Sequence, residues 1–99
     1  MFVHAVFFWM KEDAPAGAAA QTLADCQELI GKIPGLVAFS AGRPAMTPRE
    51  VVDNTYAVGL LTAFADRAAH DAYQVHPLHL QFVERNKANW ARVQVYDFA

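Results

Sequence analysis

Hydrophobic residues fill the start of the chain on both sets of alternating positions. Phe2 to Met10 contains a single polar side chain, His4. Successive side chains of a β-strand point to opposite faces of its sheet, so a strand that is apolar on both sets is covered on both sides. The pattern predicts a β-strand over residues 2–10 that is packed from two directions.

The next segment changes to a helical period. Asp13 before Ala14-Pro15 predicts a helix start with proline in the first turn, and Pro34-Gly35 ends the helix. Between these signals, apolar residues recur at spacings of three and four: Leu23, Cys26, Ile30 and Ile33. This stripe is typical of a helix that packs by one face.

Two further strands are predicted in the middle of the chain. Leu36 to Gly42 forms the second strand, and Thr55 to Phe64, again apolar on both faces, forms the third. Residues 43–54 contain two prolines and Asp53-Asn54, which is typical of a polar loop or a long hairpin.

The second helix is interrupted by a proline. Ala65-Asp66 opens this helix, which is predicted to run to about Tyr73. His76 precedes Pro77, and a residue before proline is disfavoured in the α region. We therefore predict a kink or break at this point, with the helix resuming over residues 78–90.

The last predicted strand covers residues 91–98, with Ala91, Val93 and Val95 on one face. The complete order is β-α-β-β-α-β within one domain, residues 1–99. This order is that of the ferredoxin-like α+β class, an antiparallel four-stranded sheet with both helices on one face.

The other face of this sheet also carries apolar residues. Hydrophobic residues make up 55% of the chain and charged residues only 18%, more apolar surface than one small core absorbs. A second copy of the sheet covers such a face, so we predict a homodimer that closes a dimeric α/β barrel.

Charge and cysteine content narrow the possible partners and the location. The net charge is −2 with no basic run, which disfavours binding to nucleic acid. The apolar Met1 to Met10 segment is too short to span a bilayer and lacks the features of a signal peptide. Cys26 is the only cysteine and suits a reducing compartment. We expect a cytoplasmic protein without a membrane partner.

Candidate chemistry is concentrated in residues 71–79. This segment holds Tyr73, His76 and His79 around the proline break. Imidazoles exchange protons near neutral pH, and a phenol donates a hydrogen bond to a developing oxyanion. His79 is the candidate general base, with a pKa of about 6 to 7, and Tyr73 is its partner. The alternative is that Tyr73 packs under the break and His79 caps a helix end.

The two other candidates are His4 and His76, which we predict to bind the ligand. A structural role is an alternative for each, since His76 is placed to stabilise the break and His4 is placed as a buried strand histidine. A metal held by His4, His76 and His79 is disfavoured, because His-x-x-His is a weak signal and no local cysteine or carboxylate completes it, except Asp71. No motif for haem attachment or phosphate binding is present, so no cofactor is predicted.

The chain as a whole resembles the stress-responsive A/B barrel domain family, known as Dabb. The features that carry the resemblance are His4 and Lys11 at strand one, Ile33-Pro34-Gly35, Gly42, Tyr56, Phe64, Asp71-x-Tyr73-x-x-His76-Pro77-x-His79 and Val95-x-Asp97. The resemblance implies a dimer whose sheets face each other, with a small-molecule cavity between the sheet and the helices of each subunit.

Within this family the chain is similar to olivetolic acid cyclase-like proteins, which close a linear polyketide by an aldol step. That similarity implies Tyr73 and His79 as the catalytic pair, with His4 and His76 around the same pocket. The resulting hypothesis is a cofactor-free cyclase, lyase or isomerase acting on a small apolar carbonyl compound by proton transfer. The alternatives are a non-catalytic, stress-related ligand-binding dimer and a cofactor-independent monooxygenase.

Overall fold

The computed structural model describes residues 1–99. Four strands and three α-helices follow one another along the chain: β1 (Phe2–Met10), α1 (Ala18–Glu28), β2 (Leu36–Gly42), β3 (Val58–Phe64), α2 (Arg67–Gln74), α3 (Pro77–Asn86) and β4 (Trp90–Phe98). Single 3₁₀ turns at Ile30–Lys32 and Lys87–Asn89 extend α1 and α3. The second predicted helix is therefore two helices, separated at the expected proline.

The strands form one antiparallel sheet in the order β2-β3-β1-β4. The predicted ferredoxin-like α+β fold is confirmed. Strand β1 lies between β3 and β4, and its His4 is paired with Thr62 on one side and Asp97 on the other. The central position of β1 brings residues from three strands to the same level of the sheet.

One face of the sheet packs against the helices. Val6 and Phe8 of β1 join Leu60 of β3 and Phe82 of α3 in the buried core. Three residues of the predicted apolar stripe belong to the same core: Cys26 in α1, Ile30 in the following 3₁₀ turn, and Ile33 after that turn. His4 lies on the same face as Val6 and Phe8, two and four residues along the strand, so its ring points towards the helices.

The opposite face of the sheet, termed the open face, carries no helix. It is formed by the alternate residues of the strands: Val3, Ala5, Phe7, Trp9, Leu61, Ala63, Tyr96 and Phe98. Tyr56, from the connection between β2 and β3, packs its ring against Phe7 at 4.9 Å between centroids. The aromatic residues of β1 are thus divided between the core and the open face.

Four predicted boundaries are wrong. Helix α1 begins at Ala18 rather than near Asp13, with no side chain capping it, and it ends at Glu28 rather than at Pro34-Gly35. Strand β3 begins at Val58 rather than Thr55, because Asp53 Oδ1 accepts hydrogen bonds from the backbone and hydroxyl of Thr55 at 2.7 and 2.6 Å and forms a turn there. Helix α3 ends at Asn86, earlier than predicted, and Trp90 already belongs to β4.

A buried polar network ties α3 to α1. Asn86 donates to Asp25 Oδ2 at 2.9 Å and accepts from the Thr22 hydroxyl at 3.1 Å. Arg85 donates to the same carboxylate oxygen at 3.0 Å, and the Trp90 indole donates to Thr22. Because buried polar groups are costly when unpaired, this network defines the position of α3, the helix that carries His79.

None of the helices has the length and apolar character needed to cross a bilayer.

Candidate functional site

A small cavity lies between the sheet and the break that separates α2 from α3. Its volume is about 170 Å³. The lining is mostly apolar and includes four polar side chains, His4, Tyr73, Gln74 and His79. Val93 and Val95 of the edge strand β4 line its more exposed side. A mostly apolar pocket with a few convergent polar groups is the usual form of a small-molecule site.

The break at Pro77 places the two predicted catalytic residues side by side. The His76 backbone is extended, as expected before proline, and the His76 Nδ1 accepts the Leu78 amide at 3.1 Å as the cap of α3. The rings of Tyr73 and His79 then meet edge to face, with their centroids 4.9 Å apart. The six-residue separation along the chain is closed by this change of helix direction.

His76 itself does not line the cavity. Its ring nitrogen Nδ1 caps α3, which is the structural role considered as the alternative for this residue. The ligand-binding role of His76 stays a prediction. Of the four predicted site residues, His4, Tyr73 and His79 are brought together at the cavity.

His79 combines a free ring nitrogen with a lowered basicity. Its Nδ1 is buried and has no hydrogen-bond partner. Burial lowers the pKa of His79 below its usual value, and the neighbouring His4 and His70 rings act in the same direction. The ring is therefore neutral at neutral pH, and an orphaned polar atom beside a cavity indicates a partner that a ligand can supply.

Tyr73 is a hydrogen-bond donor that does not ionise. Its side chain is only 2% exposed. Burial raises the pKa of the Tyr73 phenol far above its usual value, Cys26 contributes in the same direction, and the Thr62 hydroxyl opposes them. The phenol stays protonated throughout the physiological range, as required of a group that stabilises an oxyanion by donating to it.

His4 is held by a carboxylate that sequence reasoning did not assign to the site. His4 Nδ1 lies 2.5 Å from Asp97 Oδ1, across the β1–β4 pair. Burial lowers the pKa of His4, the hydrogen bond and charge of Asp97 partly offset this shift, and His70 adds to it. The His4 ring is therefore neutral. Its Nδ1–H donates a hydrogen bond to Asp97, and its Nε2 is left as an acceptor. Only the strand register reveals this pair.

A second buried histidine, His70, was missed by the sequence analysis. Its ring centroid lies 4.8 Å from that of His4 and 4.5 Å from that of Phe2. The signal that was available is the spacing on α2: His70 precedes Tyr73 by three residues and Gln74 by four, which puts all three on one helix face. The cluster around the cavity thus contains His4, His70 and His79 together with Tyr73.

Cys26 is buried in the core close to this cluster but does not offer a nucleophile. Burial, with a smaller contribution from Asp25, raises the pKa of the Cys26 thiol to about 12. The thiolate is the reactive form of cysteine, and it is absent at neutral pH under these conditions. The chemistry available at the cavity is therefore proton transfer and hydrogen bonding.

Comparison with protein families tests the resemblance seen in the sequence. The profile described as Stress responsive A/B Barrel Domain, Dabb, matches residues 2–99. The chain belongs to the Dabb family. No curated protein sequence matches it significantly. The family assignment therefore rests on a match over almost the whole chain, and it agrees with the fold and with the Tyr73, His76 and His79 pattern.

Solved structures share the fold of this Dabb protein. A Dabb family protein with a ferredoxin-like fold from Mesorhizobium loti is 26% identical, with a TM-score of 0.78 over 99% of this chain and 94% of that one. A dimeric ferredoxin-like protein of unknown function from Jannaschia sp. CCS1 is 27% identical, with a TM-score of 0.77 over 99% and 97%. Hydroxynitrile lyase from Passiflora edulis is 18% identical, with a TM-score of 0.78 over 98% and 90%, and this likeness shows the fold alone.

Metal binding by this Dabb protein is predicted to be absent, although one set of side chains has the required donors. His4, His70 and Asp97 each offer one ligand atom, and these atoms lie within 4.8 Å of one another. They are engaged in hydrogen bonds within the protein, His4 with Asp97 and His70 with Asp71. We expect elemental analysis of the purified protein to find no stoichiometric zinc, iron or copper. One equivalent per chain would make these three residues ligands and contradict the prediction.

This Dabb protein is predicted to lose stability in acid, because His4 and His79 are neutral in the folded state. Lowered pKa values of His4 and His79 mean that the unfolded chain binds more protons than the folded one below the ordinary histidine pKa of about 6.5. The contribution of His4 and His79 to the free energy of unfolding is therefore complete above about pH 6.5, and it is lost as the pH falls towards their pKa values in the folded protein. Urea unfolding at about pH 7.5 and about pH 5.5 measures this loss. His79→Asn, which cannot titrate, should show a smaller difference, and an equal difference would contradict the assignment.

Proposed function

We propose that this protein is a cofactor-free lyase, cyclase or isomerase that acts on a small, largely apolar carbonyl compound by proton transfer. The observation that carries the proposal is the buried, unpartnered Nδ1 of His79 beside the protonated Tyr73 in an apolar cavity. A neutral base and a neutral acid at contact distance are the two groups that enolisation requires.

In the proposed step, His79 takes a proton from the carbon next to the substrate carbonyl. The electrons of the C–H bond form the C=C bond of an enolate, and the carbonyl oxygen gains the negative charge. The Tyr73 hydroxyl donates a hydrogen bond to that oxygen. The enolate then attacks a second carbonyl, expels a leaving group or is reprotonated at another carbon, and the proton held by His79 is returned. No oxidant or reductant is consumed.

The size and surroundings of the cavity set the class of substrate. An apolar cavity of about 150 Å³ accommodates one benzene ring, so about 170 Å³ suits a single ring or a short chain. The half-exposed Val93 and Val95 mark the side on which a longer chain leaves the cavity. A polyketide-like compound fits this description, with its reacting carbonyl inside and its tail towards β4.

Existing enzymes support the proposal only at the level of the fold. The Passiflora edulis hydroxynitrile lyase has the same architecture, so this fold accommodates a lyase. Function does not follow from fold, and the assignment of this chain depends on the residues of its own cavity.

The proposal includes a homodimer that forms through the open face. Exposed apolar side chains on that face, such as Leu61, Tyr96 and Phe98, support it, and a relative with 27% identity is described as dimeric. Two concavities of about 270 and 290 Å³ lie on the same face, beside Phe7 and Tyr56. They contain no histidine, and we assign them to the surface that the second copy covers.

The proposal also includes a cytoplasmic location, supported by the unpaired Cys26.

Turnover of enolisable carbonyl compounds tests the catalytic proposal. Polyketide-like diketones and aryl ketones should show base-catalysed exchange of their α-hydrogens for deuterium, measured by NMR, or conversion to a cyclised or cleaved product. Native mass spectrometry of the purified protein identifies any ligand that it carries. A bound compound with neither exchange nor turnover would favour the alternative, a non-catalytic binding dimer. Oxygen uptake with an activated aromatic substrate would favour the monooxygenase.

A further inference from the structure

One polar residue of the cavity wall has no part in the proposed proton transfer. Gln74, the last residue of α2, lines the cavity, and its amide Nε2 lies 3.1 Å from the Nε2 of His70. The Nδ1 of the same histidine lies 3.0 Å from Asp71 Oδ1. Asp71 is exposed to solvent at the other end. The three side chains form a hydrogen-bonded row from the surface to the cavity, termed the α2 row.

The donors and acceptors of the α2 row have one consistent direction. A carboxylate only accepts hydrogen bonds, so the Nδ1 of His70 carries the ring proton and donates it to Asp71. The Nε2 of His70 then has a lone pair and accepts from the amide NH₂ of Gln74. The Oε1 of Gln74 forms no hydrogen bond within the protein, so this residue has an acceptor left for a ligand, together with the second N–H of its amide.

Packing around His70 keeps this direction fixed. The ring is buried and lies 4.5 Å from the ring of Phe2 and 5.6 Å from that of Phe64, measured between centroids. The aromatic neighbours restrict reorientation of the imidazole. Rotation of the Gln74 amide by half a turn would point its oxygen at the lone pair of His70 Nε2, which is repulsive. Gln74 therefore keeps its carbonyl oxygen as a free acceptor.

We propose that Gln74 determines specificity, because its Oε1 accepts a hydrogen bond from a hydroxyl group of the substrate. The substrate class is then a small carbonyl compound that also carries a hydroxyl, such as a hydroxyaryl ketone. His70 is a positioning residue that acts through Gln74. The carbonyl half of this description rests on the proposed function, whereas the hydroxyl half rests on the α2 row alone.

The tautomer of His70 tests the direction of the α2 row without any ligand. Nitrogen-15 NMR of the histidine rings should show His70 protonated at Nδ1 and unprotonated at Nε2. The variant His70→Phe keeps a ring between Phe2 and Phe64. In this variant the amide protons of Gln74 should lose the chemical-shift change caused by the hydrogen bond to His70, and they should lose their protection from exchange with solvent. Protonation of His70 at Nε2 would overturn the proposal, because Gln74 would then turn its oxygen inward.

Binding of simple probes tests the specificity itself. We expect calorimetry to show that 3- or 4-hydroxyacetophenone binds about 3- to 10-fold more tightly than the matching methoxyacetophenone, the effect of one neutral hydrogen bond. In Gln74→Leu this preference should vanish while the methoxy compound still binds. In His70→Phe the preference should shrink, because the released amide can also present its NH₂ to the methoxy oxygen. A uniform loss of affinity for both probes would indicate a merely structural role and overturn the proposal.

The outcomes separate this inference from the proposed function. Equal binding of the two probes by the wild type, a preference that survives in Gln74→Leu, or failure of every probe to bind would overturn the role of Gln74. None of these results bears on whether His79 removes a proton. A hydroxyl preference that depends on Gln74, together with turnover that is unchanged in His79→Ala, would remove the proposed chemistry and leave the specificity residue in place.

Discussion

Replacement of His79 by alanine is expected to lower turnover by about 10²- to 10⁴-fold, the usual contribution of a general base. The side chain lines the cavity, and its Nδ1 makes no hydrogen bond that supports the fold. The variant should therefore stay folded and keep its oligomeric state. Initial rates with any substrate found by the screen measure the effect, and circular dichroism checks the fold.

Two further variants sharpen this prediction. Tyr73→Phe keeps the buried ring and removes only the hydroxyl, so it should lower kcat without opening a cavity in the core. His76→Asn changes another histidine of the same segment and keeps an acceptor for the α3 cap, so its activity should remain close to wild type. Unchanged rates in both His79→Ala and Tyr73→Phe would exclude the pair as the catalytic residues. Loss of activity in His76→Asn would favour the ligand-binding role predicted for His76.

The pH dependence of the rate gives an independent measure of the same base. The active form of His79 is neutral, and burial lowers its pKa. The rate should therefore rise as the pH increases through a value below the ordinary histidine pKa of about 6.5 and stay level above it. The pKa of about 6 to 7 predicted from the sequence is thus moved downward by the environment of the ring. A rate that falls over this range would require a protonated histidine and contradict the mechanism.

Introduction of a charge on the open face is expected to dissociate the homodimer. Leu61 lies at the centre of the sheet on that face, with 39% of its surface exposed in the single chain. In a twofold dimer Leu61→Asp places an unpaired carboxylate in the interface twice, and each copy costs about 3–5 kcal/mol when buried. The dissociation constant should rise by about 10³-fold or more. Light scattering across a dilution series measures the change.

The chain offers a matched control for this substitution. Leu80 is also an exposed leucine, 56% accessible, but it lies on α3, on the helical side of the sheet. Leu80→Asp should leave the dimer intact. A wild-type protein that is monomeric at micromolar concentration would remove the dimer from the proposal. Equal effects of the two substitutions would move the interface away from the open face.

The order of the elements could be predicted from the sequence because each one is encoded locally. The two-sided apolar strand Phe2–Met10 and the one-sided stripe from Leu23 to Ile33 differ in period, and this difference separates a strand from a helix. Pro77 after His76 is an equally local signal, and the break occurred there. The boundary at Val58 was missed because the Asp53 turn decides it, and this turn is not visible as periodicity. The boundary at Ala18 was missed because no capping side chain marks it in the sequence.

The proximity of two site residues could be derived from the sequence pattern only where they are neighbours along the chain. Tyr73 and His79 share one segment, so their proximity followed from a break between two helices. Asp97 is far from His4 in the sequence, and only the pairing of β1 with β4 brings the two together. His70 is close to Tyr73 in the sequence, but its burial between Phe2 and Phe64 depends on how α2 packs on the sheet.

The sequence by itself determined the fold class and the place of the helix break, since both depend on side-chain periodicity and on the intrinsic properties of proline. Only the tertiary structure decided which face of β1 meets the helices and that His4 pairs with Asp97. It also decided that His76 serves as a cap and that Nδ1 of His79 is left without a partner. These properties depend on strand register and on burial, which arise when distant segments pack together. The same chain pattern is compatible with either face until the helices are in place.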